Sequence, residues 1–292
     1  MKTIFNIVLY ALFGAFLLQS CTKLSDPYYT VKSVYADTTK RSVLVEDYTG
    51  HMCPNCPPAA KMANSLQELY PGQVFAIAVH AGDFARPNDD PDYYPYLLAD
   101  YNTPAGNAWN SFSGFHIEEW GYPRGMVNRR TYSLKGGISL SPADWSQAIQ
   151  TAVTLPKVAV MTVHNTFDKQ SKLLNSKVDI KFIINYTGKV NLNVCLLEDS
   201  IYNGQLNNVK PDSTPIIKRF RFMHMLRDTK GGTFGDEISV NPVPSGNVIN
   251  KSYSFDFNAK PWIVNHCSVI AFISDSETKE ILHVAKSTFI KP

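Results

Sequence analysis

A pair of cysteines lies between a predicted strand and a predicted helix. Residues 42–49 (SVLVEDYT) are apolar and β-branched enough for a buried strand, and residues 57–70 carry apolar side chains at helical spacing. Residues 74–80 (VFAIAVH) form a continuous apolar run, which is typical of a strand covered on both faces. The motif CPNC at residues 53–56 therefore lies at the start of the helix in a strand-helix-strand unit.

The N-terminus has the pattern of a secretory signal peptide. Lys2 precedes an uncharged apolar run over residues 4–18, which is too short to cross a bilayer. The following Gln19-Ser20-Cys21 resembles the lipobox of bacterial lipoproteins, in which the cysteine is acylated and becomes the mature N-terminus. We expect residues 1–20 to be removed and Cys21 to anchor the protein through a lipid. The resemblance implies sorting to the outer membrane, because Thr22 and not Asp follows the cysteine.

The composition indicates a globular protein divided into several regions. With 44% hydrophobic and 18% charged residues among 292, the chain has enough apolar surface to fold. The net charge of +3 is spread without basic runs, which excludes nucleic acid as a partner. Residues 21–40 are polar and are predicted to form a tether. Residues 41–155 mix strands and helices, whereas residues 156–292 contain about seven strand-like segments, which predicts an antiparallel β-sandwich.

Local signals predict further elements in the α/β part. Short helices are expected over residues 94–101 and 104–112. Residues 124–128 and 131–134 are interpreted as a hairpin. Ser141 followed by Pro142 is a helix start and predicts a helix to about residue 154.

Export and position together suggest redox chemistry for the cysteine pair. Thiols outside the cytoplasm tend to form disulfides, and a helix N-terminus favours a thiolate. We therefore assign Cys53 as the nucleophile, more exposed than its partner, and Cys56 as the resolving cysteine. The prolines at 57 and 58 place the regular helix nearer Cys56 and leave Cys53 just outside it. A stable structural disulfide therefore stands as the alternative, whereas metal binding lacks a second cysteine pair or nearby histidines, and no cofactor is predicted.

These residues resemble thioredoxin-like oxidoreductases, through the VLVED strand, CPNC, the following helix, and Tyr122-Pro123 before the strand at 125–128. The resemblance implies a cis bond at Pro123, packed against the cysteine pair and offering main-chain groups to a peptide. It also implies a buried carboxylate that assists proton transfer. Alignment of the VLV residues favours Glu46 for this carboxylate, and counting back from Cys53 favours Asp47.

A second resemblance covers nearly all of the mature chain. The segments EDYTGHMCPNCP, VHAGDF, GYPRGMVNR, FRFMHMLRDTKGGTFGDEI and SVIAFISDSETKEILHVAKS occur in the same order as in the outer membrane protein 28-related lipoproteins. The resemblance implies an α/β thioredoxin-like domain (41–155) followed by an all-β immunoglobulin-like antiparallel sandwich (156–292) at the outer membrane. Two functions follow from it. One is thiol-disulfide exchange on envelope or extracellular proteins and peptides, and the other is a non-catalytic adhesin or receptor role.

Several other residues form a second tier of candidates. His51 is placed to stabilise a thiolate as a cation, or else is an exposed loop residue. His80 and Asp83 follow the second strand, where sites of α/β proteins gather. A set of aromatic residues either lines a peptide groove or packs in the interior: Tyr93, Tyr94, Tyr96, Tyr101, Trp109 and Trp120. Cys195 and Cys267 lie within apolar strands, and strand alternation places His224 opposite Met223 and Met225, against a copper site.

Overall fold

The computed structural model describes residues 38–133, 137–208, 215–239 and 241–291. The predicted signal peptide, the lipidation site Cys21 and most of the predicted tether lie outside these ranges. In the described ranges, no helix is long and apolar enough to cross a membrane.

The described residues contain thirteen strands and three α-helices. The strands are β1 (Val43–Thr49), β2 (Val74–His80), β3 (Arg124–Val127), β4 (Ala159–Asp168), β5 (Leu173–Phe182), β6 (Val190–Glu198), β7 (Ile201–Leu206), β8 (Ile216–Phe222), β9 (Met225–Lys230), β10 (Asp236–Glu237), β11 (Val248–Asp256), β12 (Cys267–Asp275) and β13 (Ile281–Lys286). The helices are α1 (Pro57–Leu69), α2 (Pro104–Asn110) and α3 (Pro142–Ala152).

Each helix begins at a proline. The missing N–H of proline costs nothing in the first turn, where that group has no partner within the helix. In α1, the residues Ala59, Ala63 and Leu66 are buried on one face. Helix α2 is capped by the side chain of Thr103, whose oxygen accepts a hydrogen bond from the N–H of Gly106 at 3.1 Å.

The largest sheet has eight strands and contains strands from both halves of the chain. Its order is β13-β12-β6-β9-β2-β1-β3, and β10 pairs with β6. Strands β1 and β2 are parallel, and β3 is antiparallel to β1. A parallel register pair between Ala78 and Met225 joins β2 to β9. The strands near the cysteine pair therefore continue into those of the C-terminal half.

Two smaller sheets complete the structure. Strands β11, β5 and β4 form an antiparallel sheet in that order. Alternate residues of β5, including Leu174, Val178 and Ile180, are buried and pack in one core with residues of β6 and β12. Strands β7 and β8 form a separate two-stranded hairpin. The layer of β4, β5 and β11 against β6 and β12 partly agrees with the predicted sandwich.

The predicted fold class, an α/β thioredoxin-like domain followed by an immunoglobulin-like domain, is wrong. The structure is mostly β, and the eight-stranded mixed sheet runs through both segments. One core contains Leu44, Ile77 and Trp109 from the first segment together with Leu197 and Phe272 from the second. The prediction failed because local patterns identify strands but not the strand that will cover the open edge of β2.

Two local predictions also fail. Residues 91–97 form turns and not a helix, in a stretch interrupted by Pro95. No strand follows β3 at residues 131–133; the antiparallel partner of Gly125 is Leu140, through a single bridge. The predicted strand at 74–80, the start of α1 near Cys56 and the start of α3 at Pro142 agree with the structure.

Candidate functional site

Cys53 and Cys56 form a disulfide at the start of α1, with their Cα atoms 5.5 Å apart. Cys56 is the N-cap residue, and its carbonyl accepts the N–H of Ala60 at 3.1 Å. Cys53 lies outside the helix, as the prolines predict. The greater exposure predicted for Cys53 is wrong, because both residues are only 1% exposed.

The hairpin of β7 and β8 covers the disulfide loop. The N–H of Leu206 donates to the carbonyl of His51 at 2.8 Å, and the N–H of Asn208 donates to that of Pro54 at 2.9 Å. The side chain of Gln205 donates from Nε2 to the carbonyl of Cys53 at 2.8 Å. The carbonyls of His51, Cys53 and Pro54 thus find hydrogen-bond partners in the other half of the chain, so the loop can be buried without leaving these groups unpaired.

The two candidate carboxylates have different surroundings. Glu46 forms a buried bidentate pair with Arg129, with distances of 2.9 and 2.7 Å from Nε and Nη2. Within the described residues, Oδ1 of Asp47 is buried with no hydrogen-bond partner. Burial raises the pKa of the Asp47 carboxyl to about 8, so it is mostly protonated at neutral pH.

Asp47 and Cys56 line one small cavity. Its volume is about 30 Å³, which is enough for a water molecule, and its wall includes His80 and residues of α1 and β8. A more open groove of about 400 Å³ shares four of its lining residues with this cavity: Asn64, Arg221, Met223 and His224. The narrow cavity beside Cys56 and the open groove therefore share one wall, on the α1 side of the disulfide.

The Tyr122-Pro123 bond is cis, as predicted. In the antiparallel register of β1 and β3, Arg124 pairs with Tyr48 and Gly125 pairs with Asp47. Pro123 therefore lies at the end of β1 from which the disulfide loop departs. Its packing against Cys53 stays a prediction.

The second-tier residues divide between the interior and the surface. His51 and His80 are 1% and 2% exposed, and each packs edge-on against Tyr101. Burial lowers the pKa of His51 to about 4 and that of His80 to about 3, so both are neutral at neutral pH. The interpretation of His51 as a cation or an exposed residue is wrong. Asp83 is exposed and lies 3.3 Å from Arg86.

The other candidates separate in the same way. Tyr101 and Trp109 are buried, whereas Tyr94 and Trp120 are 61% and 51% exposed. Cys195 and Cys267 are buried free thiols that do not pair, and burial raises the pKa of both. Among the described residues, no group of three or more His, Cys, Asp or Glu side chains is arranged to hold a metal ion.

Sequence reasoning missed Gln205 and the groove side of the site. No local signal marks Gln205, because its partner Cys53 lies 152 positions away. Met223 and His224 both line the groove, against the alternation predicted for one continuous strand. The chain turns between β8 and β9, where His224 has a φ of 55°. Alternating faces apply only within a single strand.

Comparisons with known proteins give a family. The family model described as outer membrane protein Omp28 matches residues 114–291. No curated protein matches the chain. The similar solved structures include two bacterial proteins. A protein from Agrobacterium tumefaciens is 14% identical, with 86% of this chain and 96% of that chain covered and a TM-score of 0.47.

The second structure is a domain of the outer membrane lipoprotein Omp28 from Porphyromonas gingivalis. It is 16% identical, with 46% of this chain and 89% of that chain covered and a TM-score of 0.28. The match to the family model assigns the chain to a family, because it spans more than half of the 292 residues. The chain belongs to the Omp28 family and is an outer membrane lipoprotein, in agreement with the location predicted from its sequence.

Proposed function

We propose that this lipoprotein exchanges disulfides with proteins of the cell envelope through Cys53 and Cys56. The main observation in favour of this proposal is that Asp47 and Cys56 line the same small cavity. A buried carboxyl oxygen without a hydrogen-bond partner, such as Oδ1 of Asp47, costs stability, and buried carboxyls with a shifted pKa concentrate at functional sites. A purely structural disulfide needs no such neighbour.

The exchange begins when a client thiolate attacks Sγ of Cys53. The Cys53–Cys56 bond breaks, and its electron pair moves to Sγ of Cys56. The neutral Asp47 carboxyl supplies a proton to this leaving thiolate, directly or through one water in the cavity. A second client thiolate then attacks the client sulfur of the mixed disulfide and releases Cys53 as a thiolate. The client dithiol is oxidised, and the protein disulfide is reduced; the reverse sequence reduces a client disulfide.

The rival function is a binding lipoprotein of the adhesin or receptor type, in which the disulfide is only structural. The burial of both sulfurs beneath the β7–β8 hairpin favours this alternative. Exchange therefore requires the hairpin to move off the loop, whereas a structural disulfide requires no such movement.

The decisive measurement traps the client. A Cys56→Ser variant leaves Cys53 able to attack but unable to resolve, so it accumulates mixed disulfides in an envelope extract. The Cys53→Ser variant is the matched control and captures far less. The wild-type pair, equilibrated with glutathione buffers, should have a potential above about −230 mV.

Two results would replace exchange with the binding function. One is a potential below about −300 mV, which is typical of structural disulfides. The other is a Cys56→Ser variant that captures no more protein than Cys53→Ser. Alkylation followed by mass spectrometry reports the redox state of each cysteine, with the buried Cys195 and Cys267 as internal references.

A further inference from the structure

An open pocket lies next to the disulfide loop, at the residues that follow β2. We call it the Phe84 pocket. It measures about 310 Å³ and is lined by Ala81, Gly82, Asp83, Phe84, Asn110, Glu118, Gly121 and Tyr122. This volume is at the lower end of the range for ligand pockets.

Main-chain hydrogen bonds join residues of the Phe84 pocket to the segment that contains the disulfide. The carbonyl of Phe84 accepts the N–H of Met52 at 3.0 Å, and the N–H of Ala81 donates to the carbonyl of Thr49 at 3.3 Å. A Cβ on Gly50 would lie 2.2 Å from the Phe84 carbonyl oxygen, so the two segments touch. A ligand in the pocket therefore lies beside the residue that precedes Cys53.

The charges lining the pocket are negative. Its two ionisable acids are Asp83 and Glu118, and no lysine or arginine is among its lining residues. The Asp83 side chain is 84% exposed and pairs with Arg86, whose side chain is 62% exposed. An ion pair this exposed is of little energetic value. Glu118 accepts the N–H of Phe112 through Oε1, which leaves Oε2 for a ligand. The formal charge of the whole chain is +3, so this negative region is a local feature.

Aromatic rings form a second part of the pocket surface. The rings of Phe84 and Tyr122 lie 5.3 Å apart and line the pocket. Beside it, Trp120 and Phe112 are 51% and 65% exposed. The guanidinium of Arg124 already lies 5.1 Å from the centre of the Trp120 ring. Aromatic faces and carboxylates together attract a cationic side chain that has an apolar stem.

We propose that the Phe84 pocket docks a segment of a partner protein that carries lysine or arginine next to an apolar residue. The negative charge and the aromatic rings of the pocket select this segment. The main-chain contacts of Phe84 with Met52 and of Ala81 with Thr49 keep the pocket, and so the docked segment, near the disulfide. The proposal goes beyond disulfide exchange, because docking needs no sulfur chemistry. A protein that docks here and does not exchange disulfides would fit the binding function equally well.

The test uses the full chain in detergent with its disulfide oxidised. The probes are three dye-labelled peptides of equal length without cysteine, which carry arginine, citrulline or glutamate beside a phenylalanine. Fluorescence anisotropy should show the arginine peptide binding about tenfold more tightly than the citrulline peptide, a difference of about 1.4 kcal/mol. The glutamate peptide should bind least, and added salt should weaken the arginine peptide most.

Variants locate the binding. Asp83→Asn combined with Glu118→Gln should remove the preference for arginine over citrulline, while the amide oxygen of Gln still accepts the Phe112 N–H. Trp120→Ala should weaken the arginine peptide severalfold. The matched control is Asp89→Asn with Asp92→Asn, which makes the same change of charge on exposed residues that do not line the pocket, and should keep the preference.

Several outcomes would overturn the proposal. One is equal binding of the arginine and citrulline peptides. Another is an equal loss of the preference for arginine in the two double variants, which would show that the peptide responds only to the net charge of the protein. Binding of free arginine amide as tightly as the peptide would indicate a small-cation site. Self-association that the Asp83/Glu118 variant abolishes would make a second copy the occupant. Because no probe contains a thiol, failure here leaves the trapping test of exchange unaffected.

Discussion

Glu46 and Asp47 are adjacent residues with opposite roles because successive side chains of a strand point to opposite faces. Glu46 faces the core that contains Trp109 and Phe272, where Arg129 pairs with it and lies against both rings. Asp47 faces the cavity beneath α1. The sequence narrows the carboxylate expected to assist proton transfer to these two residues. It cannot decide between them, because Glu46 is paired by Arg129, which lies 83 positions away in the sequence.

Replacing Asp47 should change the pH dependence of stability. The folded-state pKa of about 8 is above the ordinary value of 3.8, so the folded state binds an extra proton between these pH values. The free energy of unfolding therefore falls as pH rises through this window and levels off above pH 8. Asp47→Asn removes this slope and should be more stable than wild type near pH 8, by on the order of a few kcal/mol.

Urea denaturation of the oxidised proteins between pH 5 and pH 9 measures the difference. The Asp89→Asn variant, which changes an exposed acid, serves as the control and should follow the wild-type curve. Parallel curves for wild type and Asp47→Asn would show that the Asp47 carboxyl is not protonated in the folded protein near neutral pH.

At the scale of elements, local sequence signals were sufficient to predict α1 and β2 but not to predict the β7–β8 hairpin. Helix α1 follows from two prolines and the spacing of apolar residues, all within a few turns of chain. The position of the hairpin depends on contacts such as that between Gln205 and Gly50, which are 155 positions apart. Strand propensity identifies a segment without naming its partner, so the cover over the disulfide was not predictable from the sequence.

Loosening the hairpin should expose the disulfide. Gln205→Ala removes the hydrogen bonds from Nε2 to the carbonyls of Cys53 and Leu206. A loss of about 1 kcal/mol raises the population of the open hairpin about fivefold, and native-state reduction by dithiothreitol should accelerate by a similar factor.

The matched control for this experiment is Tyr202→Ala on the same strand. Its side chain is 50% exposed and lies against Arg219, away from the loop. It should leave the reduction rate near the wild-type value. An unchanged rate in Gln205→Ala, or an equal increase in both variants, would contradict a covering role for the Gln205 contacts.

At the scale of the whole molecule, the two halves of the chain share one sheet and one core. The run VFAIAVH correctly predicted a strand covered on both faces, but it does not specify what pairs with the edge of β2. In the structure, β9 pairs there at Met225. Asn128, just after β3, also accepts the N–H of Ile281 in β13 at 2.8 Å. These contacts explain why recognising each half by its own pattern gave the wrong fold class.

A fragment that ends at residue 155 should therefore fail to form a stable core. It would lose Leu197, Leu226 and Phe272, which pack with Leu44, Ile77 and Trp109. The edge of β2 would lose its partner, and the guanidinium of Arg129 would lose the Phe272 ring that lies 5.0 Å away. Exposed apolar surface and an open strand edge favour association over cooperative folding.

The experiment compares residues 38–155 with residues 38–291, both with the Cys53–Cys56 disulfide intact. The longer chain should unfold in urea in one cooperative transition and keep a near-ultraviolet circular dichroism signal. The fragment should show no sharp transition and should bind a hydrophobic dye, which is the behaviour of a chain with secondary structure but no fixed packing. A fragment that unfolds cooperatively and retains the near-ultraviolet signal would show that the first half carries its own core. The shared packing of Leu197 and Phe272 would then be an interface between two independent folding units and not part of a common interior.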